Sequence, residues 1–563
     1  MDKRREAGLQ MTIKTRSFFI KLLLILILVL HGLAFSAFAI GVVETKHNLS
    51  ASGPGTQIAS EEIRVCIFCH TPHHANAVGD YMPLWSRELS GANYTLYDSS
   101  TIQAVPGQPT GSSRLCLSCH DGTIALGMLS GGYRPSGNTL GAITGSGNLA
   151  TDLSDDHPIS FVYDTNLALT SELQDPSLLP HEIQLEEGRL ECSSCHDAHL
   201  DLYGMFLVMD NIESALCEAC HAKTGWASAS HAPPDAKCES CHTSHTAPQS
   251  AGLLLGVTEE ETCLSSCHDG TGVEANVATD FAKFSSHPVV STVGVHDPAE
   301  DPLVAEYHVE CADCHNPHQA NTATATAPDV SGALKGVNGI DSAGTLEDPA
   351  LYQYEVCFKC HADNSFLSVP VINRQVSEVN ERLRFSPDNP SYHPVIAAGK
   401  NSSVPSLRPG YSVNSIIYCT DCHNSDESTY AGGSGANGPH GSSYQHILAK
   451  RYEQDSYPLA YAEWNYELCW QCHDPQVLMT PGTFHFRHVS NHQSPCSACH
   501  DPHGVAVGFV GVSGTGGVSG TGGVSGTGGT YLINFDTDIA TGSHDSDART
   551  CSVSCHNTNP KGY

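Results

Sequence analysis

The sequence predicts a chain that is mostly irregular coil with short α-helices and little or no β-sheet, wrapped around bound groups instead of a side-chain core. Three observations predict it. Aromatics are only 7% of the 563 residues, too little bulky apolar material for a large core. The intervening segments are rich in Gly, Ser, Asn, Asp and Pro, residues that favour turns over regular elements. Finally, cysteine and histidine recur together in one fixed unit from end to end.

That unit is C-x2-C-H. Every one of the 24 cysteines belongs to it or to a C-x3-C-H variant. Ten units have the shorter spacing: Cys66/Cys69, Cys116/Cys119, Cys192/Cys195, Cys217/Cys220, Cys238/Cys241, Cys311/Cys314, Cys357/Cys360, Cys419/Cys422, Cys469/Cys472 and Cys496/Cys499. Two are longer, Cys263/Cys267 and Cys551/Cys555. The following histidines are His70, His120, His196, His221, His242, His268, His315, His361, His423, His473, His500 and His556. Two thiols about one helical turn apart can each bond a vinyl group of one porphyrin, and the adjacent imidazole then reaches its iron. A disulfide framework has no use for a histidine after each second cysteine, and zinc sites want paired knuckles. The pattern therefore predicts twelve covalently attached c-type haems.

Each iron needs a ligand on its second face, and the histidine surplus supplies it. Five methionines remain beyond the N-terminal segment, too few for twelve irons, whereas twenty histidines remain outside the units and that segment. Five of these trail a unit by three residues: His73, His199, His245, His318 and His503. A trailing histidine leaves the backbone on the same side of the porphyrin as the motif histidine, so it is predicted to serve a neighbouring haem. A second group lies upstream in a recurring context, often His-Pro, which holds the residue extended: His47, His157, His231, His287 and His393. Before Cys496 stand His485, His488 and His492, of which His488 completes the predicted set. The unit at Cys419 lacks a trailing histidine, so His440, or else His446, must substitute, and its haem is the expected place for an open site.

A repeat follows: upstream histidine, first unit, trailing histidine, second unit. Dihaem modules are drawn at 40–150, 151–228, 229–282, 283–378, 379–478 and 479–563, the last containing a Gly/Ser/Thr linker at 511–529 made of three hexads. Helical lead-ins are expected in "NIESALCEACH", "LYQYEVCFKCH" and "YAEWNYELCWQCH", and a further short helix from the spacing of Val376, Val379 and Leu383.

Residues 1–39 carry six basic and two acidic residues and then an apolar run ending Ala37-Phe38-Ala39. This reads as a signal peptide cleaved after Ala39, and export suits c-type haem, which is attached outside the cytoplasmic membrane. The whole chain has a net charge of −33, and removing the basic leader makes it more acidic still. Nucleic acid is excluded as a partner. Cationic redox proteins, metal ions and mineral surfaces fit better. No Ser/His/Asp set, phosphate loop or nucleotide fingerprint stands out.

The segments "KHNLSASGPG", "LCLSCHDGTIALG", "DHPISF" and "CSACHDPHG" resemble the exported multihaem c-type cytochromes of metal-respiring bacteria. The likeness runs from residue 47 to 556 through the units and their histidine contexts, and dodecahaem outer-membrane cytochromes share the haem number. The resemblance implies an electron-transfer protein that is not an enzyme. It would work in the periplasm, in the outer membrane with a porin, or outside the cell, passing electrons to ferric minerals or partner cytochromes, and self-assembly into filaments is compatible with it. Many of those relatives are lipoproteins, and no cysteine follows the apolar run before Cys66, which argues against a lipid anchor. The alternative is a multihaem reductase of a small nitrogen or sulfur oxyanion. It needs an open iron, often marked by C-x-x-C-K, which is absent here.

Overall fold

The structure is a computed structural model of the chain. It describes residues 40–545 except 74, 76–83, 138, 235, 266, 273–275, 292–295, 306–307, 365–366, 368–370, 455–456 and 507–529, and beyond these 550–553 and 561–562. The leader, the linker repeats, Cys555 and His556 lie outside the described residues.

Coil dominates, as the composition predicts. Sheets are mostly two-residue pairings that pin distant loops, such as Ile40–Gly41 with Leu200–Asp201 and Ser391–Tyr392 with Gly504–Val505, both antiparallel. The widest described sheet has three strands, Gly542–Asp545, Thr550–Val553 and Lys561–Gly562. Buried apolar residues fall into small separate clusters instead of one core. The largest gathers Ile340, Tyr354, Phe358, Ala362, Phe385, Tyr392 and Val395. No helix among the described residues is long and apolar enough to cross a membrane.

The short attachment units are built as single tight turns. In the first, Cys69 and His70 both donate backbone N–H to the carbonyl of Cys66, at 3.2 and 2.8 Å, and the same pairing recurs at Cys311 and Cys419. The residue before the second cysteine closes the turn. Ser194, Ser240, Asp313 and Asp421 each accept the backbone N–H of the residue preceding the first cysteine, at 3.1, 3.1, 2.7 and 2.9 Å. These caps satisfy a donor that a short helical turn would leave orphaned. The unit at Cys496 shows the same logic by omission: Ala498 offers no acceptor, and the preceding residue is Pro495, which has no N–H. Its second cysteine is held from outside the unit. Cys499 donates to the Cys496 carbonyl at 3.2 Å, its own carbonyl accepts the N–H of Asn534 at 2.9 Å, as those of Cys69 and Cys195 accept from Ser86 and Val208, and it packs against Phe535.

Two longer helices, Gly111–His120 and Gln353–His361, each carry the second unit of a module. Glu259–Leu264 begins on Thr258, whose side chain accepts from the N–H of Glu261, and its first turn holds three glutamates that suit the positive end of the helix. The longer unit carried by this helix departs from the one-turn spacing expected of the two thiols. Cys263 lies in the helix, but the helix ends at Leu264 and Cys267 stands beyond it. The N–H of His268 reaches back to the Cys263 carbonyl at 3.1 Å, five residues along instead of four, because the additional residue widens the loop.

Other expected helices are shorter than predicted. Before Cys217 only Ala215–Glu218 is helical, and before Cys469 the chain makes two 3-10 turns, Glu463–Tyr466 and Cys469–Gln471. The Val376, Val379, Leu383 spacing does not make a helix. Helix Glu381–Arg384 starts only after Asn380, which caps it, because 374–376 are engaged with 534–536 across the fold. The Cys551 unit also departs from the turn pattern, since Cys551 lies in a strand opposite His544.

Fully buried Arg87 holds the first module together. Its guanidinium donates to the carbonyls of Ser118 and Ala125, at 3.1 and 3.2 Å, and to that of Leu126. Arg87→Met removes the donors and leaves those carbonyls unpaired, with an expected loss of about 3 kcal/mol. Chemical denaturation of the full-length protein checks it.

Candidate functional site

The motif histidines are not scattered. Ten of them face a second imidazole at nearly constant spacing. Ring centres are 6.2 Å apart for His120 and His47, 6.0 Å for His70 and His199, and 6.2 Å for both His221 with His157 and His196 with His245. They are 6.1 Å apart for both His268 with His231 and His242 with His318, 6.3 Å for His361 and His287, and 6.2 Å for His315 and His440. His423 and His503 stand 5.9 Å apart, and His500 and His485 6.1 Å. One metal ion held by two imidazole nitrogens at ~2.0 Å on opposite sides puts the ring centres roughly 6 Å apart. The donor set and its spacing therefore fit an iron porphyrin gripped from both faces. His473 has His393 nearby, and burial and then His393 lower its pKa to about 4.

The other ring nitrogen fixes each imidazole. Nδ1 of His120, His196, His242, His315, His423 and His500 bonds to the backbone carbonyls of Gly147, Met205, Gly252, Ala333, His446 and Tyr531, at 2.6 to 3.0 Å. Nδ1 carrying the proton leaves Nε2 with its lone pair for a metal. Burial points the same way. It lowers the proton affinity of both members in pairs such as His315 with His440 and His242 with His318, with His318 pushed down to about 4 and His440 to about 3. These imidazoles are therefore neutral, the state that ligates.

A rule of exchange emerges. The upstream histidine of a module faces the module's own second unit, whereas the trailing histidine faces the first unit of the preceding module. The two are physically joined. His47 donates from Nδ1 to the carbonyl of Ala198, the residue before His199, and His231 and His287 do the same to Pro317 and Pro439, before His318 and His440. His393 bonds likewise to Pro502 before His503, and the His157 backbone N–H meets Ser244 before His245. A module thus borrows one of its two distal imidazoles from the next.

Three histidine expectations change. His440 does stand in for the missing trailing histidine, but it faces His315 of the previous module. The Cys419 unit, expected to be open, has His503 across from His423, because the trailing position always serves one module back. For the Cys496 unit the facing residue is His485, carried in by the wide turn Phe486–Asn491, while His488 packs on Phe484 with ring centres 4.1 Å apart. His73 is exposed and faces no motif histidine among the described residues. His556 falls outside them. The sequence held one cue for His485: it is the first of three clustered histidines, and nothing local ranks them.

The cysteines join the sites into a series. None of the 22 described is in a disulfide. Between modules, the first cysteines of adjacent units lie close enough for one to raise the proton affinity of the other: Cys116 beside Cys192, Cys217 beside Cys238, Cys311 beside Cys263, and Cys419 beside Cys357. Within modules the thiols feel one another's charge, as for Cys69 with Cys119, Cys195 with Cys220, Cys314 with Cys357 and Cys422 with both Cys469 and Cys472. Cys241 with Cys263, and Cys469 with Cys496, complete the run.

Two second cysteines correct the picture of identical clamps. Cys267, displaced past the helix end by the extra residue, still lies near enough to Cys241 for its charge to raise that thiol, so the widened loop stays in the series. Cys499 bears on Cys496 of its own unit and is embedded beside Phe535, Phe484 and Ile533, at the end of the described run. Eleven units thus follow one another in space in the order they follow in sequence. No family model matches the chain, and no curated protein matches it either.

Proposed function

We propose that this chain is an exported dodecahaem c-type cytochrome that conducts electrons along its length toward an outer-membrane or extracellular acceptor, such as a partner cytochrome or a ferric mineral. The observation that carries the reading is that consecutive attachment units neighbour one another in the order of the sequence. Each haem would be held through two cysteines and a motif histidine and capped by a second histidine, and when bound it supplies a one-electron iron couple. The chain's own residues do the rest. The paired imidazoles would hold each iron from both sides and so would leave no place for substrate. Carbonyl-anchored Nδ1 atoms hold the rings still, which suits rapid exchange. Two neutral imidazoles favour a lower potential than a Met/His pair. The acidic surface favours cationic partners.

The test is spectroscopic. The purified protein is expected to accept twelve electrons per chain in a reductive titration and to remain six-coordinate and low-spin in both states. A predominance of five-coordinate high-spin iron would sink the proposal and favour an oxyanion reductase.

The ring planes add a sharper expectation. Pairs on the first units are closer to parallel, at 10° for His70 with His199 and for His242 with His318. Pairs on the second units are steeper, at 74°, 77° and 73° for His47 with His120, His157 with His221 and His231 with His268, and 54° for His287 with His361. Parallel planes split the two iron orbitals that overlap imidazole π-density, and perpendicular planes leave them nearly degenerate. Electron paramagnetic resonance of the oxidised protein should resolve two low-spin populations of similar size, one of them highly anisotropic. A single population would contradict the alternation.

A further inference from the structure

Two of the histidines that these pairs do not use meet in one place. His296 and His308 flank a small cavity that also receives Glu300 and Asp313. One ligand atom from each of His296, Glu300 and Asp313 lies within 4.8 Å of the other two. His308 Nε2 is 3.1 Å from Glu300 Oε1, which brings a second imidazole to the same carboxylate.

The local bonding leaves these atoms turned toward one another. Asp313 spends Oδ2 on the backbone N–H of Glu310, at 2.7 Å, while its Oδ1 stands 3.4 Å from His296 Nδ1. That nitrogen is sealed from solvent and makes no hydrogen bond. A separation of 3.4 Å is long for a charge-assisted hydrogen bond of ~2.8 Å, yet it is the spacing expected of two adjacent ligands on one ion at ~2.0–2.2 Å from each. The side chains of His296, Asp313, His308 and Glu300 are only 12, 12, 22 and 23% exposed. Glu259 and Glu310 stand close by, Glu310 Oε2 being 3.9 Å from His296 Nδ1, and the positive charge lining the cavity is Lys359, which is tied to the Asp313 carbonyl and to Asn338. The pocket therefore gathers four carboxylates around two imidazoles and one ammonium.

We propose that His296, Glu300 and Asp313 bind one first-row divalent cation of the zinc class, with His308 holding the Glu300 carboxylate. An imidazole beside two carboxylates favours such an ion over calcium or magnesium, which prefer all-oxygen shells. Cys360 also lines the cavity, so the ion lies beside an attachment unit and its charge would raise the potential of a haem held there. The site itself stands whether or not that haem is present.

Calorimetric titration of the EDTA-treated full-length protein with zinc chloride, with bound zinc checked by elemental analysis after dialysis, decides the matter. Wild type is expected to show one saturable site. Glu300→Gln and His296→Ala should each weaken it ~10-fold or more, with the visible spectrum unchanged, and Glu300→Asp should recover part of the loss. The same single-site affinity in both variants, or zinc uptake confined to weak binding by exposed histidines, would overturn the proposal. Glu300→Gln changes no volume and so separates loss of ligand from loss of fold.

Discussion

Produced without haem attachment, the chain is expected to be unfolded: a coil-like far-ultraviolet dichroism spectrum, rapid proteolysis throughout and no cooperative thermal transition. The reason lies in how its burial is divided. Ordering the backbone costs ~1–2 kcal/mol per residue, and the apolar residues that could offset this are split into small clusters. One is Tyr94, Leu117 and Leu153, and another is Val337, Ala350 and Val356. Two-residue strands such as Phe161–Val162 with Arg189–Leu190 cannot stand alone. The attachment units sit at the junctions between these clusters: Cys69 and Cys119 pack on one, Cys314 on a second, Cys469 and Cys496 on a third, and Cys499 on a fourth. Removing whatever the units hold thus removes the common surface on which the clusters meet. A haem-free chain with a sharp melting transition would show that the polypeptide folds by itself.

Replacing His440 is expected to open one iron, and that iron is the one held by His315. His440→Ala should convert about one haem in twelve to a high-spin form and confer one equivalent of carbon monoxide binding. His503→Ala should do the same at His423, and the double variant should bind two equivalents. The geometry behind this is the 6.2 and 5.9 Å ring spacing of the two pairs. His446→Ala is expected to leave the protein inert to carbon monoxide, because His446 meets the motif histidine His423 through its backbone carbonyl, which accepts from His423 Nδ1 at 2.8 Å and survives the substitution. A His440→Ala protein that stays wholly low-spin and binds no carbon monoxide would remove the assignment. The variants also probe the competing reductase reading, since an engineered open iron in this acidic setting should turn over nitrite poorly.

Interlocking of this kind has a consequence for stability. His199 and His47 are ligand candidates for the first and second units of one module, yet they come from segments some 150 residues apart and are joined by the His47-to-Ala198 hydrogen bond. None of the first five modules completes its own sites, so their drawn boundaries mark repeats in the sequence and do not delimit units that could close alone.

The sequence by itself determined where the Cys-Cys-His units lie, because C-x2-C-H is a local device: two thiols and an imidazole fit within one turn, and the capping residues Ser194, Ser240, Asp313 and Asp421 are legible beside them. It also determined the coil-dominated class, since a chain so poor in aromatics and rich in Gly and Pro has no large core to build. Which histidine lies across from which was decided only by the tertiary structure. The partners His70 and His199, or His315 and His440, are more than a hundred residues apart, and a histidine's identity carries no information about the iron it will meet. The choice of His485 over His488, and of His503 to cover His423, depends on where the wide turn and the trailing loops come to rest. Spatial order belongs to the same category: neighbouring thiols such as Cys116 and Cys192 align the units in series, and contact between distant segments is a property of packing that local sequence does not encode.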